Sequence, residues 1–119
     1  LVPLLQASTD GTLSRHSITV HPGAAMDVVL ASGGYPGDYE KEKEITGLTS
    51  VPGDVLVFHA GTKMLNGRLV TSGGRVLNVV ALGPDLQKAA ARVYEAIEGI
   101  HFEGKYFRRD IGFRALGDR

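Results

Sequence analysis

The chain has 119 residues, 43% of them hydrophobic, so it can bury the core of one domain without disulfide or metal staples. Its 13 basic residues balance 13 acidic ones, which argues against a protein that holds nucleic acid through a broad basic surface. Cysteine is absent, which excludes a disulfide framework and thiolate metal sites; a reducing compartment is compatible with this, and we expect the cytoplasm.

The start of the chain bears on membranes and on domain organisation. No apolar run approaches the roughly 20 residues needed to cross a bilayer, and LVPLLQASTDG lacks the basic flank and cleavage site of a signal peptide. We therefore expect no association with membranes. Residues 1–12 are typical of the end of a preceding helix or of a linker, so we expect a piece of a longer polypeptide in which residues 13–119 form the domain.

Short β-branched segments separated by 16 glycines predict strands joined by tight turns over the first two thirds of the chain. Polar and apolar residues alternate over Ser17 to Val20, which predicts a strand. Pro22-Gly23 favours a type II turn, and Met26 to Ala31 is the expected return strand. The charged segment Asp38 to Glu44 predicts a solvated loop.

The next segments continue the predicted sheet. Val55 to His59 is a compact apolar strand, and Asn66-Gly67 is a strong signal for a type I′ hairpin turn, after which Leu69 to Thr71 should pair back. Arg75 to Leu82 is apolar on both faces apart from Asn78. This pattern predicts a central strand that is covered on each side.

From Gly83 the apolar spacing becomes helical, which predicts an amphipathic helix through Leu86, Ala89, Ala90, Val93, Ile97 and Ile100. Pro84 can occupy its first position or Asp85 can cap it, and Gly99 should close it in a left-handed conformation. His101 to Leu116 is expected to be extended or turn-rich. The predicted fold is therefore α+β and mainly β: a small barrel-like antiparallel sandwich with one packed amphipathic helix.

Three glycine-rich stretches, Ser32 to Gly37, His59 to Lys63 and Thr71 to Arg75, invite comparison with phosphate-binding loops. None has glycines spaced to open a helix in the way that such loops require. Two of them run between predicted strands, so turn geometry is the better explanation.

Metal binding is not expected from the histidines, which lack helical i, i+4 pairing and cysteine companions. His59, at the end of an apolar strand, is more typical of a hydrogen-bonded structural residue than of a base. Lys63 precedes a hairpin turn, as the modified lysine of biotinyl and lipoyl carriers does, but it lies on the approach and not at the turn tip.

Near the end of the chain, YFRRDIGFRAL places three arginines among apolar residues. Arg108 and Arg109 are adjacent, so on an extended segment they point to opposite faces, and Asp110 could hold one of them. A guanidinium binds phosphate bidentately and stays charged at any working pH. The sequence leaves two alternatives open here: an anion clamp or a surface salt bridge.

Four segments together resemble one family: VVLASGGYPGDYEKEKEI, VFHAGTK, TSGGRVLNVVALG and YEAIEGIHFEGKYFRRDIGFRAL. They are similar to the C-terminal domain of the phosphoribosylamine glycine ligases, also called glycinamide ribonucleotide synthetases, of the ATP-grasp class. The four motifs occur in the family's order and span nearly everything from Met26 to Leu116.

The resemblance implies a ligase of purine biosynthesis that joins 5-phosphoribosylamine and glycine while ATP becomes ADP and phosphate. It implies that ATP and Mg²⁺ are held by the amino-terminal and ATP-grasp domains of the parent, which are the expected partners, and that this piece is not catalytic alone. It further implies that the domain walls the ribonucleotide site. Arg108 and Arg109 would then bind the substrate phosphate, supported by Asp110 and Gly112.

Two positions depart from the family pattern. Histidine is common where Phe113 stands, so we expect this residue to pack instead of hydrogen-bonding. Glycine is common in place of Glu42, which makes a tight turn there less certain.

Two further functions stay open on sequence alone. The domain could be a purely structural docking module whose arginines pair with carboxylates of a neighbouring domain, or, least favoured, a carrier modified on Lys63.

Overall fold

The computed structural model describes residues 1–117, which form three α-helices and five strands. The helices are α1 (Val2–Asp10), α2 (Leu86–Glu98) and α3 (Phe113–Leu116). The strands are β1 (Ala24–Ala31), β2 (Val55–His59), β3 (Thr62–Leu65), β4 (Arg68–Thr71) and β5 (Arg75–Gly83). Short 3₁₀ turns cover Leu13–Arg15 and Leu48–Ser50.

All strand pairing between these elements is antiparallel. One sheet has the order β1-β5-β2 and the other is the β3-β4 hairpin. The α+β class with one packed amphipathic helix is confirmed. Within residues 1–117 the two sheets stay separate and do not close into a barrel.

Helix α2 packs on one face of the three-stranded sheet and forms the core with it. Asp85 caps the helix, since its Oδ1 accepts a hydrogen bond from the Lys88 N–H at 2.8 Å, which decides between the two starts that the sequence allowed. Val93 and Ile97 are fully buried against the inward residues of β1 and β5. Burial of each such side chain contributes about 1.5–3 kcal/mol to stability.

The other face of this sheet has no helix over it. It carries alternate residues of the three strands, and its apolar members include Leu56 and Phe58 of β2 and Val80 and Leu82 of β5. Phe58 is 53% exposed and Leu82 54%. The expectation that β5 is central is confirmed, but the expected cover on both faces is wrong, because α2 is the one long helix in residues 1–117 and it occupies a single face. We call this surface the open sheet face.

One expected turn and one expected strand have opposite outcomes. Asn66 and Gly67 have φ values of 50° and 77°, and β3 and β4 pair across them, so the type I′ hairpin is confirmed. Ser17–Val20 is not a strand: it pairs with no strand, and Ile18 and Val20 are exposed. Alternation over four residues does not hold a strand without a neighbour to accept its hydrogen bonds.

The end of α2 also differs from expectation. Gly99 has φ −80° and continues the right-handed turn, so the predicted left-handed closure is wrong. The carbonyl groups at this end are satisfied differently: the Lys105 Nζ donates to the carbonyl oxygens of Ile97 at 3.0 Å and Ile100 at 2.6 Å. Burial lowers the pKa of the Lys105 amino group.

Residues 1–12 contain α1, which ends at Gly11 with φ 71°. Whether this segment belongs to a preceding domain stays an expectation. Across residues 1–117 no helix combines the length and the apolar character that a bilayer crossing requires.

The charged segment 38–44 is a loop, as expected, but it runs beside β4, where the Glu42 N–H donates to the Thr71 carbonyl at 2.7 Å. Glu42 has φ 64°, the region that glycine adopts without strain. Its side chain accepts a hydrogen bond from the Lys63 Nζ at 2.7 Å, an exposed ion pair, which lowers the pKa of the Glu42 carboxyl.

We predict that Glu42→Gly, made in a Lys63→Met background, stabilises the domain by about 0.5–1 kcal/mol. The left-handed conformation costs a non-glycine residue about 1–2 kcal/mol, and the greater freedom of glycine in the unfolded chain offsets about 0.5–1 kcal/mol of that gain. Lys63→Met removes the ion pair first, so the substitution reports the backbone alone. Urea unfolding measures the change, and a loss of stability in this background would contradict the strain.

Candidate functional site

A cavity of about 350 Å³ lies beside β1, between the sheet and the carboxyl-terminal segment. Its walls are largely apolar or aromatic and come from Val28, Val29, Ala31, Tyr35, Pro36, Tyr106, Phe107 and Ile111. Three charged residues also line it: Asp27, Arg75 and Arg108. An apolar cavity with a few convergent charged groups is the usual form of a small-molecule site.

The glycine-rich stretches bring the walls of this cavity together. Ser32 links the first of these stretches to the third. Its N–H donates to the Gly74 carbonyl and its Oγ to the Gly73 carbonyl, both at 2.8 Å. The ring of Tyr35 lies directly over Gly74, where any Cβ would collide with it. These stretches therefore serve close packing and turns, as the sequence favoured, and they place Tyr35 next to Arg75.

Arg75 is the cation in this cavity that sequence reasoning missed. Its side chain makes no hydrogen bond and no ion pair with any of residues 1–117. A charged guanidinium beside an apolar wall, with its donors unused, is suited to an anionic ligand. The signal lies in TSGGR, where an arginine directly follows a glycine pair at the start of β5.

Arg108 lies at the same cavity and is held by Asp110. Its Nε donates to Oδ1 at 2.9 Å and its Nη2 to Oδ2 at 2.7 Å, so the pair is bidentate. These hydrogen bonds lower the pKa of the Asp110 carboxyl. Two Arg108 side-chain nitrogens are engaged, and the Nη1 donors remain for a ligand.

Arg109 points elsewhere. Its guanidinium lies 4.8 Å from the ring centre of Phe107, and its Nη2 is 3.5 Å from Glu98 Oε1 at the end of α2. It does not line the cavity. The adjacent arginines therefore point to different sides, as alternation predicts.

Gly112 supports the segment through its backbone. It has φ 76° and directly precedes α3, and a Cβ there would lie 2.8 Å from Met26 Cε. The next residue, Phe113, is exposed, with the Arg114 guanidinium 5.6 Å from its ring centre. The expectation that Phe113 packs is therefore not met, because the single turn of α3 presents it to solvent.

Asp27 adds a negative charge to the cavity wall. It lies between the buried residues Met26 and Val28, so its side chain is on the opposite face of β1, and it has no ion-pair partner in residues 1–117. Burial raises the pKa of its carboxyl, which favours the neutral form. The positive charge of the cavity is therefore concentrated at Arg75 and Arg108.

A second cavity, of about 370 Å³, lies between the loop around Tyr39 and the turn at Gly104. Its cation, Lys43, is already paired with Glu40 at 2.7 Å and Glu103 at 3.3 Å. This second cavity therefore has fewer hydrogen-bond donors available for an anionic ligand than the Arg75–Arg108 cavity has.

The other sequence candidates are explained by local contacts. Lys63 lies within β3, not at the turn tip, and pairs with Glu42. His59 Nδ1 is 2.9 Å from Thr62 Oγ1, the hydrogen-bonded arrangement that was expected. In residues 1–117 no three His, Asp or Glu side chains lie close enough to hold a metal ion.

The chain is similar to one protein family and to individual relatives within it. The family model described as "Phosphoribosylglycinamide synthetase, C domain" matches residues 25–114. A phosphoribosylamine–glycine ligase of Synechocystis sp. is 55% identical over 97 residues, which cover 81% of this chain and 23% of the relative. That of Agrobacterium fabrum is 43% identical over 116 residues, 98% of this chain and 27% of the relative.

A solved structure gives the same result. The crystal structure of phosphoribosylamine–glycine ligase from Thermotoga maritima matches with a TM-score of 0.72 and 44% identity, covering 90% of this chain and 27% of that one. The chain thus spans about a quarter of the length of these relatives.

We predict that Gly74→Ala displaces the Tyr35 ring from the cavity wall and destabilises the domain by about 1–3 kcal/mol, as overpacking does. Gly53→Ala is the matched control, because a Cβ there meets nothing within 4 Å. In a Tyr35→Ala background the cost of Gly74→Ala should largely disappear. Urea unfolding of the three single variants and the double variant measures this. Equal stability of Gly74→Ala and Gly53→Ala would exclude the contact between Tyr35 and Gly74.

Proposed function

The chain belongs to the phosphoribosylglycinamide synthetase C-domain family, and from that premise we propose that it supplies part of the substrate-phosphate site of a ligase. The parent reaction joins 5-phosphoribosylamine and glycine with ATP to give glycinamide ribonucleotide, ADP and phosphate. In this proposal the domain walls the ribonucleotide site and orients the sugar phosphate. It contributes no group to bond making and is not active alone.

The observation that carries this proposal is the pair of arginines at one cavity. Arg75 has no side-chain partner within residues 1–117, and Arg108 is oriented by Asp110, two residues further along its own segment. Guanidinium groups bind phosphate oxygens through charge-assisted hydrogen bonds, and the apolar wall strengthens them by excluding water. Tyr35 and Pro36 provide a surface for the sugar. Fixing the phosphate orients the reactive end of the substrate, which accelerates a reaction without proton transfer.

Arg109 is a weaker candidate for binding the phosphate. Its contacts with Phe107 and Glu98 keep it outside the cavity. The pair with Glu98 is exposed and contributes about 0–1 kcal/mol, so it can be exchanged for another partner. We therefore keep Arg109 as a second candidate for the phosphate and Arg108 as the first.

ATP and Mg²⁺ are assigned to other domains of the parent. Mg²⁺ takes oxygen ligands in octahedral geometry, and within residues 1–117 no three His, Asp or Glu side chains cluster as a metal site. The proposed partners are the amino-terminal and ATP-grasp domains of the parent. The proposed compartment is the cytoplasm.

A docking role is the second candidate function, and the open sheet face favours it. Leu56, Phe58 and Leu82 expose apolar surface side by side on a sheet, which in a protein of this composition marks an interaction surface. Asp27 and Val29 belong both to this face and to the cavity wall. A domain docked here would therefore close the cavity, and the two functions are compatible.

We predict that Arg75→Ala and Arg108→Ala in the full-length ligase each raise the apparent KM for phosphoribosylamine by about 10-fold or more, while the KM for ATP changes little. Loss of a charge-assisted hydrogen bond costs about 1.5–3 kcal/mol. Steady-state kinetics with each substrate varied in turn measures this. Arg109→Ala, assayed in parallel, decides whether the second arginine takes part.

Arg68→Ala is the matched control, because Arg68 is also exposed, pairs with Glu44 and lies outside the cavity. If both cavity variants lower stability and leave the KM for phosphoribosylamine unchanged, the phosphate role is wrong and the purely structural role replaces it.

We predict for the docking role that Phe58→Ser changes the stability of the 119-residue chain by less than about 1 kcal/mol, because the ring is half exposed. In the full-length ligase the same substitution should cost about 2 kcal/mol or more, because the ring is then covered. Met64→Ser, on the separate β3-β4 sheet, should give the same small effect in both. Denaturant unfolding measures the four changes, and equal effects of Phe58→Ser in the two proteins would remove the docking role.

A further inference from the structure

The Tyr94 hydroxyl connects α2 to the segment that carries Arg108. It donates to the Arg108 carbonyl oxygen at 3.0 Å and accepts from the Ile111 N–H at 3.4 Å. One phenol hydroxyl thus binds both ends of the four-residue segment from Arg108 to Ile111 and holds it beside the helix. Its ring lies 6.2 Å from that of Phe107, which packs at the start of this segment.

The Arg108–Asp110 ion pair cannot fix Arg108 relative to the rest of the domain. Both partners belong to the same short segment, so the pair fixes the guanidinium relative to the segment and not relative to the sheet. If the segment moves, the paired arginine moves with it. What fixes the cation at the cavity must therefore come from outside these residues.

Attachments from outside come from both the sheet and the helix. On the sheet side, Tyr106 exchanges backbone hydrogen bonds of 2.8 and 3.0 Å with Ala31 at the end of β1. On the helix side, the Tyr94 hydroxyl binds the backbone of the segment, and the exposed Arg109–Glu98 pair at 3.5 Å adds a weak side-chain contact. Within residues 1–117 the Arg108 carbonyl and the Ile111 N–H have no other protein hydrogen-bond partner, so without the phenol they turn to water.

We propose that Tyr94 is a positioning residue for substrate binding, which sets the place of Arg108 at the cavity through the backbone of the segment. This rests on the proposed phosphate role of Arg108. Tyr94 touches no substrate in this proposal. Small displacements of an orienting group reduce its contribution steeply, so one lost attachment is expected to be measurable.

The test uses Tyr94→Phe, which removes the hydroxyl and keeps the ring. In the full-length ligase it should raise the apparent KM for phosphoribosylamine about 2- to 10-fold, as expected for one or two neutral hydrogen bonds, and leave kcat and the KM for ATP nearly unchanged. In an Arg108→Ala background the same substitution should have no further effect on that KM.

Asp85→Ala is the matched control for stability. It removes the cap at the other end of the same helix, at a comparable cost in stability, and does not touch the arginine segment. A rise of the KM in Asp85→Ala equal to that in Tyr94→Phe would show that helix stability alone is responsible and would overturn the proposal. A full additional effect of Tyr94→Phe in the Arg108→Ala background would overturn it as well.

The attachment itself is tested in the 119-residue chain, independently of the kinetics. Tyr94→Phe should speed the hydrogen exchange of the Ile111 amide and shift the NMR signal of Arg108 Nε–H, and Asp85→Ala should do neither. Unchanged signals in Tyr94→Phe would refute the positioning role. If instead Arg75→Ala and Arg108→Ala leave the KM for phosphoribosylamine unchanged, the phosphate role fails, and the positioning role for substrate fails with it even where these signals change.

Discussion

The packing of α2 onto a single face of the β1-β5-β2 sheet is the constraint on which the other features depend. It buries Val93 and Ile97 against the central strand and leaves the opposite face apolar and exposed. The carboxyl-terminal segment then returns from the end of α2 to the edge of β1, where Tyr106 pairs with Ala31. The cavity lies where this returning segment meets the edge strand, so its position follows from the helix covering one face.

The cavity brings together residues that are far apart in the chain, and each is held by a different kind of contact. Tyr35 is placed by close packing over Gly74, because no side chain intervenes there. Arg75 stands at the first position of β5. Arg108 lies on a segment without regular structure, so its place depends on hydrogen bonds from neighbouring elements. Such a segment can be adjusted by single hydrogen bonds more easily than a strand can.

The proposed division of labour agrees with the charges of this domain. Its net charge is zero, so attraction of an anion must be local. Asp110 orients Arg108 and offsets its positive charge with its own negative one, and burial raises the pKa of the Asp27 carboxyl. Within residues 1–117 the Arg75 side chain has no hydrogen-bond or ion-pair partner. In the proposed function, a few oriented donors and an apolar wall position a phosphate ester, and the chemistry is assigned to other domains of the parent ligase.

The sequence by itself determined the local elements: the period of Leu86–Glu98 predicted the helix and Asn66-Gly67 predicted the hairpin. These depend on contacts between residues near in sequence. Only the tertiary structure decided that one face of β5 is open, that Ser17–Val20 finds no partner strand, and that Arg75 joins Arg108 while Arg109 does not. Those outcomes depend on which surfaces meet across long chain separations, and local periodicity carries no information about that.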